Sequence, residues 1–137
     1  MTIAKTLAAA LLLALTVPAA HATAKPSLRE VPEIENALFA VAIADAVRDR
    51  CDDIGARMIK AMVVLRGIKG RANDLGYSDD EIRAYVESDV EKARIRAKGT
   101  KFLAANGVAM DQPETFCTFG RAEIAKSSAI GVLLRAK

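Results

Sequence analysis

The sequence predicts an all-α fold: a small up-down bundle of about four helices, with one disulfide and an apolar C-terminal tail packed on it. Three observations predict it. Apolar residues recur at steps of three and four, the mark of helices buried along one side. Proline, Ser–Glu and glycine signals fall at the boundaries those steps define. The two cysteines, Cys51 and Cys117, fall at the end of one such helix and near the start of another.

The chain opens on "MTIAK", whose one cation is Lys5, followed by the uncharged run "TLAAALLLALTV" and then Pro18. "AHATAK" offers two small-residue cleavage sites, after Ala22 or after Ala24. A basic head, an apolar middle and a small-residue exit predict a secretory signal peptide over residues 1–24 and a single helical domain over 25–137. The competing reading, a membrane anchor, is disfavoured because the apolar run is short for a bilayer span. No cysteine follows the run, which argues against a lipid anchor, and no later run is long enough to span. The expected location is periplasmic or secreted.

Within 25–137, "KPSLREVP" is an extended lead-in. Pro32 suits a first helical position, and Glu33 and Glu35 favour the positive end of the helix dipole. "ALFAVAIADAV", Ala37 to Val47, is apolar except for Asp45. A helix apolar nearly all round is a central one, and this one ends near Cys51. A second helix is expected after "DD", on the stripe Ile54, Met58, Ala61, Leu65, Ile68, Ala72 and Leu75. A methionine-lined ligand groove at Met58 and Met62 is the less favoured alternative to core. Gly67 and Gly70 mark close packing or a weak spot, and Gly76 is a C-cap.

Ser78 with Glu81 is a capping box that opens a third helix. Its expected apolar face is Ile82, Val86, Val90, Ala93 and Ala97, and Asn106–Gly107 ends it. Its charges run from acid (Asp79 to Glu91) to base (Lys92 to Lys101), the order that complements the helix dipole. Asp111 with Glu114 repeats the capping pattern, with Pro113 in the first turn of a fourth helix that contains Cys117 and reaches about Ser128. "IGVLLRAK" is too apolar to dangle and is expected to pack against the bundle.

The 137 residues carry 20 Lys plus Arg against 17 Asp plus Glu, a net charge of +3; loss of Lys5 with the signal lowers it to about +2. That balance, without an aromatic stacking platform, argues against specific nucleic-acid binding. The single histidine, His21, lies in the signal segment. Without it a metal site lacks ligands and a cysteine nucleophile lacks its usual base. In an oxidising compartment two thiols pair, so the expected role of Cys51 and Cys117 is a disulfide. The bridge closes a loop of about 66 residues, worth on the order of 4 kcal/mol in the chain-entropy model. In an up-down-up-down bundle the first helix ends at the pole where the fourth begins, so both sulfurs reach one pole. Val47, Ala44, Ala40 and Ala37 then face Gly120, Ile124 and Ser127 or Ser128. Mostly small faces predict close packing, with axes about 8 Å apart.

Three function classes remain. The favoured one is a non-catalytic envelope binding, adaptor or structural protein with an envelope protein as partner. The alternatives are a carrier of a small apolar ligand between helices, and an enzyme built on carboxylates. For the enzyme, Asp45 is the candidate, because burial in its apolar helix would raise its pKa; an Arg partner or solvent at the helix edge is the plainer reading. "KSS", Lys126–Ser128, is a weaker candidate, since adjacent helical residues do not face each other. No catalytic constellation, cofactor or metal is expected.

The stretches "LREVPEIENALFAVAIADAV", "GYSDDEIRAYVESDVEKARIRAKG" and "FCTFGRAEIAKSSAIGVLLRAK" resemble a family of short, signal-bearing alphaproteobacterial proteins, domain-of-unknown-function family 5333. The resemblance spans Leu28 to Lys137, with both cysteines placed as in that family. It implies a periplasmic or secreted location and brings no activity, cofactor or catalytic residue with it.

Overall fold

A computed structural model describes residues 24–137. The expected signal segment, its cleavage site after Ala22 and His21 lie outside the described residues. After a 3-10 turn at Leu28–Glu30, helix α1 runs Pro32–Arg50 with Pro32 at its first position, and Cys51 ends it in an extended conformation. It packs against every long helix of the fold, α2 (Met58–Asp74), α4 (Asp89–Ala105) and α5 (Pro113–Lys126), which makes it the central helix that its all-round apolar sequence predicts.

Among the described residues, five α-helices and two three-residue strands stand where four helices were expected. Ile54 does not begin the second helix. It opens strand β1, Ile54–Ala56, which pairs antiparallel with β2, Leu134–Ala136, in the register Ile54↔Ala136, Gly55↔Arg135, Ala56↔Leu134. The partner strand lies about 80 positions downstream, so no local pattern announces it. The C-terminal tail does pack on the bundle: a 3-10 turn at Gly131–Leu133 leads into β2, and Ile130, Leu133 and Leu134 are buried.

Helix α2 buries Ala72 and half-buries Ala61, Val64 and Ile68, while Met58 and Leu65 of the expected stripe face solvent. The inward row thus keeps Ala61, Ile68 and Ala72 of the expected stripe, with Val64 in place of Leu65. Gly67 and Gly70 have open space where a Cβ would stand, so neither marks close packing. The helix stops at Leu75, and Gly76 follows with φ +91°, a left-handed conformation that costs glycine nothing.

The expected third helix is two. Helix α3, Asp79–Glu87, starts at the Ser78–Glu81 capping box as predicted. Ser88 then turns extended, and its hydroxyl accepts the Glu91 backbone N–H to start α4. A second Ser-x-x-Glu pattern, Ser88–Glu91, thus interrupts what the apolar steps read as continuous. The break rotates α4 so that Val90, Ala93 and Ala97 are exposed, and Val86 at the end of α3 is exposed with them. The face α4 turns inward is Glu91, Arg94, Ile95, Gly99, Phe102 and Leu103. At α5 the cap is Gln112, not Asp111, and no side chain caps it. Thr115 instead satisfies the approach, accepting the Ala109 backbone N–H at 3.0 Å.

Cys51 and Cys117 form the disulfide, with Cα atoms 5.2 Å apart, joining the end of α1 to the second turn of α5. The two helices approach closely at Gly120. A Cβ there would lie 2.5 Å from Ile54 Cδ1 and 2.7 Å from Val47 Cγ1. Around this seam lies the larger core, in which Ile43, Val47, Ile54, Phe116, Phe119, Leu133 and Leu134 are buried. A smaller cluster, Leu28, Ile34, Ala72 and Tyr77, joins the lead-in and the head of α1 to the ends of α2 and α3.

Candidate partner-binding groove

Helix α4 is held to α1 by charges, and that leaves a groove beside them. Glu35, on the first turn of α1, is only 7% exposed. Arg94 donates to it from both ends of its guanidinium, Nη1 to Oε1 and Nη2 to Oε2, each at 2.9 Å. Lys98 Nζ donates to Oε1 at 3.0 Å. Arg94 Nε donates to the buried Glu91 at 2.8 Å, Arg94 Nη2 donates to the Tyr85 hydroxyl at 3.1 Å, and Arg29 completes the chain by donating to Glu91. Two carboxylates and three cations thus tie the lead-in, α1, α3 and α4 together. The paired Arg94 hydrogen bonds outweigh burial and hold the Glu35 carboxyl at about 2, and the same contact raises the Arg94 guanidinium further. Burial pushes the Tyr85 phenol up. A carboxylate clamped this way stays ionised and has its oxygens occupied, so it neither donates nor abstracts a proton near neutral pH. The network is structural.

Along the rest of the α1–α4 seam the side chains are mostly apolar and leave open space. One open groove of about 590 Å³ is floored by Leu38, Val41, Ala42, Ala46 and Ile95, with Leu65 and Val86 at one side. A second, of about 260 Å³, continues from Ala42, Ala46 and Ile95 past Gly99 and Leu103 to Met110 and Phe116. On the α1 side stand Asp45 and Asp49, both paired with Arg48, and on the α4 side Lys92 and Arg96 beside the network residue Glu91. Among the described residues, helix α1 thus has one apolar seam that is left open.

Asp45 lies on this rim, not in the core. Its side chain is 60% exposed and pairs with Arg48 at 2.8 Å, and Arg48 also pairs with Asp49 at 2.6 Å. The expected burial fails because Asp45 falls on a face of α1 that no helix among the described residues covers. Lys126 and Ser128 do not pair with each other. Both donate to the buried Glu123, and the Ser128 hydroxyl accepts the Gly131 backbone N–H, which closes α5 and turns the chain toward β2. Met58 and Met62 are exposed on α2 and floor neither groove. Among the described residues no group of three or more His, Cys, Asp or Glu is placed to hold a metal ion, and no buried side-chain polar atom lacks a partner.

Glu35, Glu91, Arg94 and Lys98, expected only to complement helix dipoles, instead form a partly buried network. The signal was in the spacing: 91, 94, 95, 98, 99, 102 and 103 trace one helical face, but three of those positions are charged, and a search for apolar steps passes over them.

A family model described as "Family of unknown function (DUF5333)" matches residues 26–135. No curated protein and no solved structure matches the chain.

Proposed function

The chain belongs to DUF5333, a family of unknown function, and on that premise we propose that it is an exported, non-catalytic binding protein whose α1–α4 groove receives an amphipathic helix of an envelope protein partner. The observation that carries the reading is the groove itself, a long apolar floor with charged residues along both rims. From Leu38 to Asp49 it follows about three turns of α1, roughly 18 Å at 1.5 Å per residue. That length and shape suit a helix laid in a groove. The rim defines the occupant: an apolar stripe to meet the floor, with Asp or Glu on the side facing Lys92 and Arg96. Small floor residues, Ala42 and Ala46, let a second helix approach.

Supporting the non-catalytic part, the carboxylates in or beside the groove are all paired to arginines. Supporting export, the disulfide belongs to an oxidising compartment, and among the described residues no helix is long and apolar enough to cross a membrane. The experiment is parallel affinity capture from native envelope extract with the wild-type protein and with Ala46→Arg, a substitution at a partly exposed position that fills the groove floor. A protein retained by the wild type and lost from the variant supports the reading. Identical retained sets refute it, and so does retention of a small apolar molecule with no protein, which would favour a ligand carrier.

A further inference from the structure

The outward side of α2 carries an apolar surface separate from the groove. Met58 is 59% exposed, Ile59 83%, Met62 49% and Val63 59%. The pairs 58/62 and 59/63 are four apart, so they form two adjacent rows over the first turns of the helix. Ala61, Val64, Ile68 and Ala72 face the other way, toward the protein. The helix is therefore apolar on two opposed sides, of which folding uses one. Exposed methionine, isoleucine and valine in one contiguous set mark a contact surface.

Over its first three turns the charges of α2 are of one sign. Arg57, Lys60 and Arg66 are exposed and form no ion pair among the described residues. The Arg135 side chain lies over Gly55, beside the head of α2. The acid of α2 is Asp74, at its far end; of the two acids before β1, Asp53 is held by Arg121 at 2.8 Å and Asp52 is exposed. The set protrudes and lines neither groove described above. A protruding apolar patch ringed by long cationic side chains has the form of an interfacial helix: apolar groups enter the acyl boundary while Lys and Arg reach the headgroups.

We propose that α2 docks this protein on an anionic lipid surface, with Met58, Ile59, Met62 and Val63 inserted and Arg57, Lys60 and Arg66 at the phosphates. A second copy fits less well, because a two-fold axis through this face would set cations against cations. An acidic protein is the competing partner, and it would need a concave surface of its own to receive the protruding side chains.

The test is flotation of the mature, disulfide-bonded protein with vesicles of phosphatidylglycerol and phosphatidylcholine, and with vesicles of phosphatidylcholine alone. The protein should float with the anionic vesicles. The association should weaken about fivefold for each of Lys60→Gln and Arg66→Gln and fall further in raised salt. Ile59→Asn with Met62→Asn should weaken it by more than tenfold. Both positions are exposed, and circular dichroism of each variant checks that the fold is kept. Ala46→Arg, in the groove, should float like the wild type, so a failure here is distinguishable from a failure of the groove. Absence of flotation with anionic vesicles overturns the proposal. So does equal binding to neutral vesicles, or binding that Ile59→Asn with Met62→Asn leaves unchanged. A wild type that ignores vesicles but binds soluble polyglutamate assigns the face to an acidic protein instead.

Discussion

Gly120 and Glu35 are the residues on which the packing turns. At Gly120 an added methyl meets the Ile54 and Val47 side chains, both fully buried and so without room to swing away. Gly120→Ala should therefore destabilise the protein by about 1–3 kcal/mol despite the better helix propensity of alanine, measured by urea unfolding. Glu35 makes a pH prediction. Its folded pKa, about 2, lies below its ordinary value of 4.5, so the unfolded chain holds the proton more tightly. The stabilisation is complete above about pH 4.5 and is lost as the pH falls toward 2, with a size on the order of 3 kcal/mol. Glu35→Gln should cost about 3–5 kcal/mol at pH 7, because Arg94 and Lys98 lose their shared acceptor. It should also flatten the acid limb of a melting-temperature profile between pH 4.5 and 2. An unchanged acid limb would mean that Glu35 is not the group responsible.

Elements were legible where local chemistry decides them. Pro32 and the Ser78–Glu81 box fixed two helix starts, and Gly76 fixed a stop. The Ser88 break was also written locally, and was missed because Val86 and Val90 kept the apolar steps going across it. Those valines are exposed, so the steps there recorded something other than a core. Strand β1 was not legible, since three residues show no periodicity and the partner strand comes from the far end of the chain. The groove was not legible either, because it arises from what the tertiary packing leaves uncovered. Helix α2 yields the prediction at this scale. Gly67 and Gly70 have helical backbone and open space at the Cβ position. Gly67→Ala and Gly70→Ala should each stabilise by about 0.4–1 kcal/mol, through helix propensity and a less disordered unfolded chain. A loss of stability in chemical denaturation would show that these glycines serve a contact that the isolated chain lacks.

At the scale of the molecule, two ties close the fold: the ion-pair network at one end of α1 and the disulfide at the other. The bridge encloses a separation of 66 residues, so Cys51→Ser with Cys117→Ser should cost on the order of 4 kcal/mol. Chemical denaturation of the double variant beside the oxidised protein measures it. Between the two ties runs the uncovered seam of α1, and the account rests on that seam being occupied in the cell. The most direct measurement places a photo-crosslinking residue at Ala46, in the groove floor, and in a second preparation at Ala122, exposed on α5. Both are expressed and irradiated in native cells. The account predicts a discrete protein adduct from position 46 and none from position 122. No adduct at position 46, or the same adducts from both positions, would contradict it.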